Sequence, residues 1–188
     1  MVQAYTMEDT IEAIKQGKIV LLPSDTVWIL SCDVNHLDKV QAINTIRGGK
    51  ENPLILIVSS LDMLKNYVED VPPKIETLLN FHTHPLTIIY EKGVNLPEEI
   101  LGEDGSVAIR ITFDPYLKSV CEQIGGPILG LSANKLGQKI PGNFGEIQSD
   151  IIQSVDKVML VRQNEKKKKL PSVIARMGSN GELDFIRE

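Results

Sequence analysis

Small hydroxyl and amide side chains next to short apolar runs are the residues of this chain best suited to chemistry. Two pairs follow such a run and a single serine precedes one. The residues are Ser24 and Thr26 after the run 18–22, Ser132 and Asn134 after the run 128–131, and Ser172 before the run 173–176. In open α/β sheets, ligands gather where strands end. The spacing therefore predicts one pocket rich in hydroxyl groups.

Several common catalytic patterns are missing from the sequence. It has no G-x-x-x-x-G-K-[ST] phosphate loop, no G-x-G-x-x-G fingerprint, no H-E-x-x-H, no C-x-x-C and no G-x-S-x-G. The segment His82-Thr83-His84 pairs two imidazoles, but a metal site needs further ligands, so we interpret it as a surface loop. The remaining hydroxyls, amides, arginines and lysines suit the positioning of a phosphorylated ligand more than covalent catalysis.

Helices and short strands interleave along the chain and must position these side chains. Apolar spacing and capping residues predict helices over residues 7–16, 37–46, 60–67, 72–79, 114–124 and 147–153. Continuous apolar or β-branched runs predict strands over residues 18–22, 54–58, 85–90, 107–111, 128–131, 158–161, 173–176 and 183–187, with a further apolar run at 27–32. The last two strands are expected to pair across the turn 178–181. This mixture indicates an α/β fold.

Length and composition favour one domain spanning residues 1–188. The chain has 20 basic and 25 acidic side chains and a net charge of −5, which excludes binding of nucleic acid by bulk charge alone but not a local basic groove. No apolar run approaches the roughly 18 residues of a membrane helix, and residues 1–5 show no signal peptide. We expect a cytoplasmic protein in which Cys32 and Cys121 are buried thiols.

Six ordered motifs resemble those of the YrdC/YciO family, the threonylcarbamoyl-AMP synthases. The likeness extends over roughly residues 10–188. The motifs are Pro23-Ser24-Asp25-Thr26-Val27-Trp28, Asn52-Pro53-Leu54, His84-Pro85-Leu86-Thr87, Ser106-Val107-Ala108-Ile109-Arg110, Leu131-Ser132-Ala133-Asn134 with Gly137, and Pro171-Ser172-Val173-Ile174. Each motif is weak alone, but six in the same order identify the chain as a member of this family.

The resemblance implies both a fold and a reaction. The implied fold is a twisted mixed sheet with flanking helices and a concave, positively charged cavity, related to dihydroxybutanone-phosphate synthase. The implied reaction joins L-threonine, bicarbonate and ATP, with Mg²⁺, into threonylcarbamoyl-AMP and releases pyrophosphate. Its implied partners are a downstream threonylcarbamoyl transferase and tRNA. Because such a reaction needs alignment and charge neutralisation, it requires no triad and no resident metal.

The family motifs also imply a role for individual residues of this chain. The residues expected to bind L-threonine are Ser24, Thr26, Asn52, Arg110 and Ser172. The residues expected to bind the nucleotide are Arg47, Lys50, Ser106, Ser132, Asn134 and Arg187. No residue is expected to act as a covalent or acid–base catalyst or as a metal ligand.

A purely structural interpretation exists for most of these residues. Ser24 and Thr26 could only shape a turn after Pro23, and Arg110 could be half of a structural ion pair. The remaining alternatives are a helix cap for Ser132 and Asn134, a solvated loop for Arg47 and Lys50, and a solvated loop for the run 166–169, whose other interpretation is a phosphate or RNA contact.

Three departures from the family pattern leave the activity open. Ile29 stands where the family has glycine, Leu131 stands where threonine is usual, and Arg47 and Lys50 replace the spacing K-x-R. Two further hypotheses follow. One is a diverged, non-catalytic member that binds double-stranded RNA or tRNA, and the other is a carbamoyl-adenylate enzyme with a different amine substrate.

Overall fold

The computed structural model describes residues 6–178 and 181–187. Its α-helices are α1 (Met7–Lys15), α2 (Leu37–Arg47), α3 (Leu61–Lys65), α4 (Pro73–Phe81), α5 (Pro115–Ile124) and α6 (Ser149–Gln153), with short 3₁₀ turns at Glu98–Ile100 and Phe144–Glu146. Its strands are β1 (Val20–Leu22), β2 (Ile29–Ser31), β3 (Ile55–Val58), β4 (Leu86–Tyr90), β5 (Val107–Ile111), β6 (Ile128–Leu129), β7 (Leu131–Ser132), β8 (Lys157–Val158), β9 (Val173–Met177) and β10 (Leu183–Arg187).

The helices begin where capping chemistry predicts. At α1, the Thr6 hydroxyl accepts from the Asp9 amide at 3.2 Å while the Asp9 carboxylate accepts from the Thr6 amide at 2.7 Å, which completes a capping box. Ser60 caps α3, and Asp114 caps α5 ahead of Pro115. These side chains satisfy amides that would otherwise lack a partner at the first helical turn. The predicted helix starts are therefore confirmed at these three places.

The strands form two mixed sheets, which confirms the predicted α/β class. The first sheet has the order β7-β2-β1-β8 and the second has the order β10-β9-β4-β5-β3-β6. Strand β1 runs antiparallel to β2 and parallel to β8. In the second sheet β3 is parallel to β5 and β4 is parallel to β9, while the other pairs are antiparallel. The predicted pairing of the last two strands is confirmed, although part of their turn, residues 179–180, lies outside the described residues.

The prediction of one continuous strand over residues 128–131 is wrong. Strand β6 pairs with β3 in the second sheet, whereas β7 pairs with β2 in the first. Gly130 stands between them and donates its amide to the Ile55 carbonyl at 2.9 Å. An apolar run does not reveal that its two halves have different neighbours, so this crossing between sheets is a tertiary feature.

The predicted strand over residues 158–161 is also wrong in its bounds. The observed strand is Lys157–Val158, and the Met159 amide still donates to the Leu21 carbonyl at 2.9 Å. The pairing stops there because β1 is only three residues long and ends at Leu22.

Substituting Gly130 with alanine is expected to lower the free energy of unfolding by about 1–3 kcal/mol, the usual cost of overpacking a core. A Cβ at this position would lie 2.5 Å from Cδ1 of Ile57, which is fully buried. Urea denaturation measures the change. Gly145→Ala is the matched control, because its nearest atom would lie at 3.5 Å, and equal stability of the two variants would contradict the prediction.

One hydrophobic cluster contains residues from both sheets and from the helices packed on them. Cys32 and Cys121 lie in it, as predicted, and burial raises the pKa of each thiol to about 12. Both thiols are therefore protonated at neutral pH and poorly reactive. Within the described part of the chain, no helix combines the length and apolar character needed to cross a bilayer.

Candidate functional site

Ser24 and Thr26 lie in a tight, buried turn between β1 and β2. The Ser24 hydroxyl donates to the Val27 carbonyl at 2.7 Å and accepts from the Thr26 amide at 3.0 Å, and the two hydroxyl oxygens are 2.9 Å apart. Neither residue is in a strand. The turn itself brings the two hydroxyls together.

Asp25 and Arg110 form a buried ion pair that ties this turn to β5. Arg110 Nη1 lies 2.5 Å from Asp25 Oδ1, and the side chains are 2% and 9% exposed. The carboxylate also accepts from the Thr112 hydroxyl and the Phe113 amide, both at 3.0 Å. Burial alone would raise the pKa of Asp25, but the Arg110 charge and these hydrogen bonds outweigh it and hold that pKa below its ordinary value. The ion-pair interpretation of Arg110 is confirmed.

Arg47 is the last residue of α2 and is buried, so the solvated-loop interpretation is wrong for it. Its Nε donates to the Asn134 carbonyl at 3.2 Å, and its Nη2 donates to Glu51 at 2.8 Å and to the Ser132 hydroxyl at 3.4 Å. The αL conformation of Gly48 ends the helix directly after it. Lys50, in contrast, is exposed on the following loop.

Ser172 joins β4, β9 and β10 at one end of the second sheet. Its hydroxyl lies 2.8 Å from the Thr87 hydroxyl, and its carbonyl accepts from Nε and Nη2 of Arg187 at 3.2 and 2.9 Å. Burial lowers the pKa of the Arg187 guanidinium. Two donors on one carbonyl fix the planar side chain, and Arg187 thereby becomes part of the same wall as Ser172.

Asn134 does not cap a helix, since residues 135–143 directly after it form turns and irregular loop. Its Nδ2 instead donates to the carbonyls of Lys135 and Gln138 at 2.8 and 3.0 Å and closes a loop. Its Oδ1 is buried and has no hydrogen-bond partner among the described residues. A buried acceptor without a partner is available to a ligand.

Asn52 and Ser106 meet at a different place, around the turn 102–106. The Asn52 Oδ1 accepts from the Glu103 amide at 3.2 Å, and the Ser106 hydroxyl donates to Asp104 Oδ1 at 2.5 Å. A Cβ added at Gly102 would touch both side chains. These two residues therefore form one polar group at the start of β5.

A cleft between the two sheets collects five of the eleven predicted site residues. They are Thr26, Arg110, Ser132, Ser172 and Arg187. The apolar part of its wall consists of Val27, Ile29, Ile55, Ile140 and Pro171, and Glu51 and Gly130 complete the lining. Ile29, one of the departures from the family pattern, thus lines the cleft itself. Leu131, another departure, is fully buried in the core.

Two lysines of the run 166–169 are engaged within the chain. Lys169 Nζ donates to the Ser24 carbonyl at 2.9 Å, and Lys168 pairs with Glu146. The Lys169 amide donates to the Gly142 carbonyl at 2.9 Å, and this bond links the lysine loop to the loop that contains Gly142. With Lys167 and Trp28, Lys169 lines a second small cleft beside the first.

The site combines hydroxyl donors and acceptors with guanidinium groups, which suits binding of carboxylates and phosphates. Across the described ranges, no group of three or more His, Cys, Asp or Glu side chains could hold a metal ion. Sequence reasoning did not assign Asp25, Glu51 or Lys169. A signal existed for Asp25, because an arginine in an apolar strand needs an acidic partner, whereas no local pattern marks Glu51.

The model of the Sua5/YciO/YrdC family, described as "Telomere recombination", matches residues 12–188. The threonylcarbamoyl-AMP synthase of Pseudoalteromonas translucida (strain TAC 125) is 28% identical over 157 residues, which cover 80% of this chain and 82% of that protein.

Two solved structures share the fold. YciO of E. coli superposes with a TM-score of 0.84 at 20% identity and covers 97% of this chain and 88% of its own. P. abyssi Sua5 complexed with L-threonine superposes with a TM-score of 0.77 at 22% identity over 90% of this chain, which spans 50% of that protein. With the family match over nearly the whole sequence, these likenesses establish that the chain belongs to the Sua5/YciO/YrdC family.

Proposed function

We propose that this protein is an ATP-dependent threonylcarbamoyl-AMP synthase. The observation that carries the proposal is the cleft that hydroxyls and guanidinium groups from both sheets line together, in a chain with relatives of that activity. The product would supply threonylcarbamoyl modification of tRNA through a downstream transferase, in the cytoplasm, and one domain would be sufficient for it.

The chemistry balances without a protein nucleophile. Bicarbonate supplies CO₂ by losing hydroxide, and the threonine amine adds to CO₂ and loses a proton to give a carbamate. A carbamate oxygen then attacks the α-phosphorus of ATP. The new P–O bond forms as the bond to the β-phosphate oxygen breaks, which releases pyrophosphate. The protein must hold the two reactants in line and stabilise the charge on the phosphates. Mg²⁺ enters with ATP as part of the substrate.

The lining residues divide between the two substrates in this proposal. Arg110 and the hydroxyls of Thr26 and Ser172 are assigned to threonine, and Ser24 supports them from the turn. Ser132 and Arg187, which line the same cleft, are assigned to the nucleotide. The other proposed contacts surround the cleft: Asn52 for threonine, and Arg47, Lys50, Ser106 and Asn134 for the nucleotide.

Pyrophosphate release from ATP is expected to require both L-threonine and bicarbonate. A coupled pyrophosphate assay with each component omitted in turn measures this dependence. Pyrophosphate release that ignores threonine would contradict the proposal. Release that needs another amino acid would instead support the carbamoyl-adenylate alternative, for which the specific observation is that Ile29, a departure from the family pattern, lines the cleft.

The RNA-binding alternative has less support from the structure. It relied on the departures from the family pattern and on the four lysines 166–169, but Lys168 and Lys169 are engaged by Glu146 and by the Ser24 carbonyl. An RNA-binding member would show an affinity for tRNA that falls steeply with salt and does not respond to ATP. Filter binding across a salt series distinguishes it from the synthase.

A further inference from the structure

The guanidinium of Arg47 is covered by an acidic residue of the chain itself. Arg47 is 1% exposed, and its Nη2 is 2.8 Å from Glu51 Oε1. The Glu51 side chain is 26% exposed and lines the cleft, although Arg47 does not appear in that lining. A ligand in the cleft therefore meets the carboxylate before it can reach the arginine.

The hydrogen bonds of Arg47 are incomplete without a ligand. Its Nε donates to the Asn134 carbonyl. Its Nη2 donates to Glu51 and, at the longer distance of 3.4 Å, to the Ser132 hydroxyl. Its Nη1 is buried and has no hydrogen-bond partner among the described residues. A buried cation with an unpaired hydrogen-bond donor is unfavourable. A ligand with several oxygens would supply the acceptor that Nη1 lacks.

Glu51 is held less firmly than the other acidic residue of the site. Asp25 is 9% exposed and accepts hydrogen bonds from Arg110, Thr112 and Phe113. Among the described contacts, the Glu51 carboxylate has Arg47 as its partner, and it sits in the irregular loop after α2. Of the two carboxylates, Glu51 is therefore the easier to displace.

The charge of Glu51 also acts on a second arginine of the cleft. Glu51 and Arg187 line the same cleft, and the Glu51 charge opposes the lowering of the Arg187 pKa by burial. Carboxylate and phosphate present the same pair of acceptor oxygens to a guanidinium. Glu51 thus occupies the electrostatic position that an anionic ligand would take.

We propose that Glu51 is an internal competitor for the anion site: its carboxylate occupies Arg47 in the free protein and must leave before the phosphates of a ligand can bind there. The inference rests on the proposed function for the identity of the natural ligand, ATP. The competition itself concerns any oxyanion of the phosphate class. It makes Glu51 a determinant of nucleotide affinity, and its removal strengthens binding.

Titration calorimetry of Glu51→Gln with inorganic pyrophosphate and with ATP, with Mg²⁺ and with EDTA, tests the proposal. Glutamine keeps the size and one acceptor for Arg47 but removes the charge. We expect at least about tenfold tighter binding than in the wild type, which corresponds to about 1.4 kcal/mol. Glu76→Gln is the matched control, because Glu76 loses the same charge in a surface pair with Lys65, and its affinity is expected to stay unchanged.

The other outcomes overturn the proposal. Equal or weaker binding by E51Q in both the Mg²⁺ and the EDTA titrations would mean that Glu51 orients Arg47. Weaker binding only in the titrations with Mg²⁺ would mean that Glu51 contacts the metal of the nucleotide. If neither the wild type nor E51Q binds pyrophosphate or ATP, Arg47 does not form an anion-binding site. Failure of the proposed function is distinguishable, because tighter pyrophosphate binding by E51Q without threonine-dependent turnover would keep the competitor and reject the synthase.

Discussion

Asp25→Asn is expected to lower the free energy of unfolding by about 3 kcal/mol at pH 7. The substitution leaves the Arg110 charge, 2% exposed, without its counter-charge, and breaking a buried pair from one side costs about 3–5 kcal/mol. Because the retained oxygen of asparagine still accepts from Thr112 or Phe113, we expect the loss of unfolding free energy to lie at the lower end of that range. Urea denaturation at pH 7 measures it, with Asp184→Asn, an exposed carboxylate on β10, as the control.

The same pair makes stability depend on pH with a definite sign. The pKa of Asp25 is lowered in the folded protein, so its stabilisation is fully present above the unfolded pKa of about 3.9 and is lost as the pH falls through the lower folded value. Wild type and D25N should therefore differ most at pH 5–7, begin to converge below about pH 4 and converge fully only below the lowered folded pKa. A constant difference down to pH 3 would show that the carboxylate charge is not the source.

Arg47→Met is expected to reduce kcat/KM for ATP in the pyrophosphate assay by about 100-fold or more. The substitution removes the charge and all three bonds of the side chain, to Asn134, Glu51 and Ser132. Loss of one partner of a buried, hydrogen-bonded charge pair costs about 2–5 kcal/mol, and each 1.4 kcal/mol is a factor of ten. Steady-state kinetics with ATP as the varied substrate gives the value.

Two variants separate binding from loss of structure at this position. Arg47→Lys keeps the charge but not the planar fork, so we expect it to recover part of the activity if the charge attracts phosphates. Lys65→Met removes a cation from an exposed pair with Glu76 and should leave kcat/KM unchanged. If R47M stays folded by circular dichroism and turns over ATP as the wild type does, Arg47 has no role in the nucleotide site.

Local chemistry was sufficient to predict the helices. The Thr6–Asp9 capping box and the Asp114-Pro115 start of α5 depend on side chains within three residues of the amides that they satisfy. Strand existence was also predictable, because continuous apolar runs indicate buried strands. The division of residues 128–131 between two sheets was not, because it depends on the different neighbours β3 and β2.

The types of the site residues were determined by the sequence alone: hydroxyls beside apolar runs, an arginine within an apolar strand, and an ordered set of motifs that resembles one family. Their partners were decided by the tertiary structure. Arg110 meets Asp25 across 85 positions and Arg47 meets the Asn134 carbonyl across 87. Helix capping acts within one turn, whereas a buried charge must be paired wherever the fold brings an opposite charge to it. For that reason the sequence predicted a cleft of hydroxyls and arginines, whereas only the tertiary structure showed that one of those arginines, Arg47, is already paired with Glu51.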